Sequence, residues 1–254
     1  MGDMIELRLD GKINPLTMKN VLIESKVDGA RHEWDGTNIV SDRGIIRNDR
    51  FPHIVKELLT LGIKGRGEIA VPFGNVLVLN AKENWHKARF YLFDMYEMNG
   101  QDTRNANALE NRHLIEQAIG KDSKNPRFSN LRIPFKFKDF QTGWDYVLKH
   151  DLEGLVMKDI GSTRQYKIKY RKEEKLPIVG FVPGAVKGCF QIERKGVVGG
   201  LSALSTAFVQ QYNDLLAKGL QPYAEIEYLF LTENGIPFQP RLRRLGTLQD
   251  LAVT

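Results

Sequence analysis

The sequence has a single cysteine, Cys189, among its 254 residues, so it cannot form an internal disulfide. This indicates a reducing compartment, and we expect a cytoplasmic protein. No apolar run approaches the roughly 20 residues that a membrane-spanning helix needs, so no membrane partner is expected. The first residues, MGDMIELRLD, lack the basic-then-apolar order of a signal peptide. The five histidines show no metal-ligand spacing, which argues against a structural zinc site.

The positive charge is distributed unevenly along the chain. The formal net charge is +6, with 37 Lys and Arg against 31 Asp and Glu. From residue 173 onward, 8 basic residues balance 8 acidic ones, so the whole excess lies in the first two-thirds. An excess of positive charge favours association with polyanions. The pattern therefore predicts an anionic substrate for the first part of the chain.

Hydrophobic periodicity predicts an α+β first part with several antiparallel strands. Residues 50–62, 107–120 and 142–154 have the apolar stripes and end signals of helices. The stretch NVLIESKVDGARHEWDGTNIVSD predicts successive strands, with Asp-Gly pairs at the turns. We also predict strands in GEIAV, in NVLVLNA at 75–81 and in ARFYLFDMYEMNG, which are rich in β-branched and aromatic residues.

The character of the sequence changes near residue 172. A charged run is followed by Pro177 and by short segments punctuated with Gly and Pro, which predicts a linker at 172–177. Beyond it lie about five short strand-like segments and one helix-like segment, 204–219. That content fits a small Greek-key barrel of the OB type. The predicted domains are therefore 1–172 and 173–254.

Five short motifs follow one another in the first part: KVDGAR at 26–31, SDRG at 41–44, GEIAV at 67–71, EGLVMK at 153–158 and KIK at 167–169. Each alone is a weak signal. In this order, and followed by a small barrel, they resemble the covalent nucleotidyltransferases. The resemblance is greatest to ATP-dependent DNA ligases in their smallest form. It implies an antiparallel-sheet, ATP-grasp-like nucleotidyltransferase domain followed by a small OB-fold β-barrel.

The resemblance implies a role for each residue around the first two motifs. Lys26 would attack the α-phosphate of ATP and carry AMP as a lysyl-AMP phosphoramidate. Glu24, two strand positions earlier on the same face, would read the adenine amino group with its carbonyl or carboxylate. Asp28 would help to place the 3′-hydroxyl of a nick. Arg31 would hold the ribose or the 5′-phosphate of the nick, and Arg43 would contact another phosphate.

Two carboxylates and two lysines of the later motifs complete the implied site. Glu68 would meet the ribose hydroxyl and a metal ion, and Glu153 would position a divalent cation, Mg²⁺ or Mn²⁺. Lys167 and Lys169, which project from one face of a strand, would clamp the phosphates. They would also stabilise charge on the α-phosphoryl group during transfer.

Some assignments leave more than one interpretation open. Phe93 resembles the aromatic residue that stacks on adenine, but an aromatic side chain in a β-rich stretch also fits a core. Arg164, in the short DIGSTRQY segment, would replace an arginine that the family carries there. At the C-terminus the family often has Arg-x-Asp-Lys, whereas this chain offers Arg241, Arg243 and Arg244 without a lysine.

The implied activity is sealing of 5′-phosphate/3′-hydroxyl nicks in duplex DNA by an ATP-dependent, monomeric enzyme. A compact enzyme of this kind would also suit a phage or virus acting in its host cell. An ATP-dependent RNA ligase uses the same lysine chemistry, and no single residue excludes it. A capping guanylyltransferase shares both domains, although Glu24 favours adenine. A non-catalytic OB-type nucleic-acid-binding protein would not need Lys26, Glu68, Glu153 and Lys167 together.

Overall fold

The computed structural model describes residues 4–8, 13–72, 74–120, 128–184, 188–203 and 205–252. The chain divides into two compact units, Met1–Lys169 and Tyr170–Thr254. Both units mix helices with mainly antiparallel strands, in agreement with the predicted α+β class. Within the ranges given above, no helix is long and apolar enough to cross a membrane.

The described part of the first unit contains eleven strands and four α-helices. The strands are β1 (Met4–Leu7), β2 (Val21–Lys26), β3 (Ala30–Trp34), β4 (Ile39–Ser41), β5 (Ile63–Ala70), β6 (Arg89–Met98), β7 (Gln101–Asp102), β8 (Leu131–Arg132), β9 (Lys136–Phe137), β10 (Gly154–Asp159) and β11 (Gln165–Lys169). The helices are α1 (Pro52–Leu58), α2 (Val76–Asn80), α3 (Ala108–Ile119) and α4 (Phe140–His150).

These strands form two sheets. One has the order β1-β11-β10-β2-β9, and the other has the order β4-β3-β5-β6-β7 with β8 beside β6. On β5 and β6 of the second sheet, Ile69, Phe90 and Leu92 are buried in a core that also holds Ile54 of α1 and Ile115 of α3. Side chains alternate between the two faces of a strand. The neighbours of these apolar residues therefore point to the opposite face, where the polar motif residues lie.

The helices predicted at 50–62, 107–120 and 142–154 are confirmed as α1, α3 and α4. The start of α3 is fixed by a capping box, in which the Asn107 side chain accepts from Glu110 N and the Glu110 carboxylate accepts from Asn107 N. The strand predicted at 75–81 is wrong, because α2 lies there. The Asn75 side chain caps that helix by accepting from Leu77 N and Val78 N, which outweighs the β propensity of its Val and Leu residues.

The second unit contains a sheet of order β14-β13-β12-β15-β16, packed with one helix in its described residues. Its elements are β12 (Lys172–Val182), β13 (Cys189–Arg194), β14 (Val197–Ser202), α5 (Thr206–Ala217), β15 (Tyr223–Tyr228) and β16 (Arg241–Gly246). The core includes Phe190, Ile192, Ala224 and Ile226. The helix predicted at 204–219 is confirmed as α5, while its first position, Leu204, lies outside the described residues.

The linker predicted at 172–177 is wrong. Those residues are the first half of β12 and pair with β15 from Lys172↔Tyr228 to Pro177↔Tyr223. The charged residues 172–175 occupy both faces at the start of this strand, and alternating burial begins after them, with Leu176 and Ile178 buried on either side of a more exposed Pro177. Pro177 is tolerated because β12 changes partner there, from β15 to β13, and pairs irregularly beyond it.

Candidate active site

The lysine of the first motif lies where three strands meet. Gly154 at the start of β10 is in register with Lys26 at the end of β2 and with Lys169 at the end of β11. The preceding residue, Glu153, therefore reaches both lysines. Its Oε2 lies 2.6 Å from Lys26 Nζ, and its Oε1 lies 2.7 Å from Lys169 Nζ. Only 6% of the Glu153 side chain is exposed, so one buried carboxylate bridges two cations.

Glycine is required at position 154 for this arrangement. Its φ of +148° is one that side chains with a Cβ rarely adopt, and a Cβ there would overlap the Ile168 carbonyl oxygen of β11. The close approach of β10 and β11 brings Glu153 within reach of Lys169. The Glu-Gly pair in EGLVMK thus has a structural reason in addition to the chemistry of its carboxylate.

Two further carboxylates share the electrostatic field of this lysine pair. Burial, with the charge of Glu153, raises the pKa of Asp28 to about 6 despite the nearby Lys26. Burial also raises the pKa of Glu68 to about 7, helped by the charges of Glu153 and Asp28 and opposed by Lys26 and Arg31. A cation bound beside these carboxyl groups would favour their ionised forms and offset the repulsion between them. The donor set therefore fits a hard divalent ion, for which oxygen is the preferred ligand.

No group of three or more His, Cys, Asp or Glu side chains in the described ranges is arranged to hold a metal ion by itself. A cation bound at Glu68 and Glu153 would thus need oxygen atoms from phosphate or water to complete its coordination. Mg²⁺ commonly binds in this way, through one or two carboxylates together with substrate phosphates.

Glu24 is buried and carries two ion pairs that the sequence did not indicate. Its carboxylate oxygens lie 2.6 Å from Arg112 Nη1 and 2.8 Å from Lys158 Nζ. Arg112 also donates to the Pro134 carbonyl oxygen at 2.7 Å. Glu24 was expected to contact the adenine amino group through its carbonyl or its carboxylate. The carboxylate is already engaged by these two ion pairs, which leaves the carbonyl. Lys158 was visible as the last residue of EGLVMK, but Arg112 had no signal, because it lies 88 residues from Glu24 in the sequence.

A cavity of about 270 Å³ collects most of the predicted site residues. Its walls include Glu24, Lys26, Arg31, Glu68, Phe93, Lys167 and Lys169, together with Val156 and Lys158. Phe93 belongs to this wall and is not part of the buried core cluster. Lys158 Nζ lies 5.7 Å from its ring centroid and donates to its carbonyl oxygen at 2.7 Å. Lys158 thus contacts both Phe93 and Glu24.

The predicted phosphate-binding arginines differ in position. Arg31 lines the cavity, and its Nε donates to both carboxylate oxygens of Asp42, at 2.8 and 3.0 Å. Arg43 is exposed on the turn after β4 and does not line this cavity. Arg164 follows the opposite end of β10 and lines another cavity of about 630 Å³. The structure therefore brings Arg31 to the lysines but not Arg43 or Arg164.

Comparison with known families and structures gives one family match and several structural ones. The family described as "ATP dependent DNA ligase domain" matches residues 9–176. A Lig E DNA ligase structure, from a study of DNA binding with a minimal scaffold, superposes with a TM-score of 0.63 at 16% identity. That alignment covers 97% of this chain and 100% of the other.

The ligase domain of LigD from M. tuberculosis gives a TM-score of 0.55 at 18% identity, covering 96% of this chain and 94% of that one. A mycobacterial DNA ligase D complexed with ATP gives 0.52 at 19% identity, covering 96% and 95%. At these identities the structures show a shared fold. A comparison with curated proteins gives no match.

Proposed function

The chain belongs to the ATP-dependent DNA ligase family, and on that premise we propose that Lys26 is its nucleophile and that its substrate is nicked duplex DNA. The protein is an enzyme, an ATP-dependent polynucleotide ligase. The observation that carries the residue assignment is the cavity in which Lys26 meets Glu68, Phe93, Lys167 and Lys169, with Glu153 bridging two of the lysines.

In the first step, Lys26 Nζ forms a bond to the α-phosphorus of ATP, and the bond from that phosphorus to the β-phosphate oxygen breaks. Pyrophosphate leaves, and lysyl-AMP remains. Nζ must lose a proton to attack, and Glu153 Oε2, 2.6 Å away, is placed to accept it. Lys167 and Lys169 line the same cavity and would stabilise charge on the transferring phosphoryl group.

Adenine would lie between Phe93 and Val156, which line the cavity with Lys158 at its polar edge. Because Arg112 and Lys158 neutralise the Glu24 carboxylate, we assign base recognition to the Glu24 carbonyl and the Lys158 ammonium. A divalent cation held by Glu68 and Glu153, Mg²⁺ or Mn²⁺, would supply neutralisation of phosphate charge.

The next two steps move AMP to DNA and then release it. An oxygen of the 5′-phosphate at the nick attacks the lysyl-AMP phosphorus, the N–P bond breaks, and Lys26 regains its proton. The 3′-hydroxyl then attacks the 5′-phosphate, the strand is sealed, and AMP leaves. Arg31 would bind the 5′-phosphate after exchanging its contact with Asp42, and Asp28 would orient the 3′-hydroxyl.

We propose an OB fold for residues 173–254, supported by the five-stranded antiparallel sheet with one helix in the described part of that unit. Domain closure would use the residues before β12 as a hinge. Arg243 and Arg244 face Glu227 at 3.3 Å and Glu225 at 3.6 Å within that unit. These arginines would therefore have to break their contacts with Glu227 and Glu225 before they could bind the departing pyrophosphate.

The test is the intact mass of wild type and Lys26→Ala after incubation with Mg²⁺ and ATP or GTP. We expect a gain of one AMP from ATP alone, absent in the variant. The starting mass, and its response to pyrophosphate, reports protein that is already adenylated. Sealing is then compared on DNA nicks and RNA nicks.

Each other outcome identifies a competing function. A GMP adduct would assign the chain to capping chemistry, and preferential sealing of RNA would assign it to the RNA ligases. A bare protein that forms no adduct and does not respond to pyrophosphate would leave a non-catalytic nucleic-acid-binding protein.

A further inference from the structure

A row of polar side chains extends from the candidate active site across the second sheet. Arg31 on β3 is in register with Glu68 on β5, Glu68 with Tyr91 on β6, and Tyr91 with Arg132 on β8. Residues directly opposite each other on neighbouring strands point to the same face. The intervening Phe90 and Leu131 are buried in the core, so the row lies on the face that includes the cavity.

A second arginine, Arg89, joins the far end of this row. It precedes Tyr91 by two positions on β6 and therefore shares its face. From strand geometry, its Cα lies about 8 Å from that of Arg132 on the adjacent strand, so one anion can meet both side chains. Both arginines are half-buried. Burial removes part of their hydration, and their proximity makes the two positive charges repel each other.

No acidic side chain of the described residues forms an ion pair with either arginine. Arg132 Nη1 donates to the carbonyl oxygens of Phe128 and Leu131, at 2.6 and 2.7 Å, which fixes the guanidinium and leaves its Nε and Nη2 for another acceptor. Glu57, whose charge acts on Arg132, accepts instead from the Ser129 and Asn130 amides. Burial and the charge of Arg89 lower the pKa of Arg132. A bound anion would offset both effects, because a nearby opposite charge favours the protonated guanidinium.

We propose that Arg89 and Arg132, with the neighbouring Tyr91, bind a backbone phosphate of the DNA beside the nick. This inference rests on the proposed function. The row begins at Arg31 and Glu68, and three strand spacings place its far end roughly 14 Å away. A DNA strand presents a phosphate about every 3.4 Å of helix axis, so a strand bound at the cavity reaches that end. The cavity already contains Lys167 and Lys169, which the proposed function assigns to the phosphates of ATP.

The experiment separates ATP chemistry from DNA binding. Wild type, Arg89→Gln, Arg132→Gln and the double variant are compared in self-adenylation without DNA. Binding is measured in EDTA on a nicked duplex with a 3′-deoxy end, across a salt series, and sealing is measured on the matching 3′-hydroxyl nick. Arg104→Gln is the matched control, because Arg104 is an exposed arginine paired with Asp102, which lies beside the opposite end of β6 from Arg89.

We expect unchanged self-adenylation and roughly tenfold weaker nick binding for each arginine removed. Each lost phosphate contact should reduce the slope of log K against log salt by about one. Arg89→Lys should keep most of that slope. Since Arg132 also contacts backbone, its variants are checked for thermal stability. The Arg89 side chain forms no hydrogen bond or ion pair with another described residue, so Arg89→Gln is the cleaner test.

Wild-type affinity and salt slope in Arg89→Gln and in the double variant would overturn the inference. So would a raised KM for ATP in self-adenylation with unchanged DNA binding, which would assign the pair to the triphosphate. If wild type itself forms no AMP adduct, the proposed function fails instead, so the two failures are distinguishable.

Discussion

Replacement of Arg112 by methionine tests whether the buried ion pair with Glu24 organises the adenine wall of the site. Both side chains are buried, with 7% and 2% exposed, and their contact distance is 2.6 Å. Removal of one partner from a buried pair costs about 3–5 kcal/mol. Lys158 still faces the other carboxylate oxygen at 2.8 Å, so we expect the lower end, about 3 kcal/mol, in the free energy of unfolding in urea.

A double-mutant cycle with Glu24→Gln isolates the pair. Removal of the carboxylate charge should reduce the cost of Arg112→Met by about 2 kcal/mol, within the range measured for contacting residues. The KM for ATP in self-adenylation should rise in Arg112→Met and recover partly in Arg112→Lys. Additive effects of the two substitutions, within about 0.5 kcal/mol, would refute the reasoning.

Three more perturbations probe the acids, the strand junction and a helix end. In metal-free buffer Glu68→Gln should stabilise the protein by roughly 3 kcal/mol above pH 7, because folding raises that pKa from 4.5 to about 7 and an ionised Glu68 opposes folding. The gain should fade as the pH drops from 7 towards 4.5, and a pH-independent difference would contradict it. Gly154→Ala should lose roughly 1–3 kcal/mol and most self-adenylation, since the strained residue separates β10 from β11; wild-type adenylation would disprove this. Asn107→Ala should cost about 1 kcal/mol through the α3 cap, seen as a lower Tm, and an unchanged Tm would show the cap to be dispensable.

Local sequence patterns predicted the elements whose structure is determined mainly by residues close to them in the sequence. The alternation through Glu24 and Lys26 indicated that these two side chains share a face, and apolar periodicity with end signals predicted α1, α3 and α4. The failures arose where another part of the chain decides the outcome. Residues 172–177 read as a charged linker until pairing with β15 made them a strand. Arg112 reads as an ordinary helix residue until the fold places it against Glu24.

The convergence at Gly154 explains why motifs so far apart in the sequence act together. β10 lies between β2 and β11 in the sheet, so the residue at its start necessarily faces the ends of both neighbours. Glu153 can bridge Lys26 and Lys169 only if both registers hold at once, Gly154↔Lys26 and Gly154↔Lys169. A slip of one residue in either pair would turn that lysine to the opposite face, because strand side chains alternate. Correct pairing of this sheet is therefore itself a condition for placing the nucleophile, and a variant that shifts β10 should lose adenylation before it loses its fold.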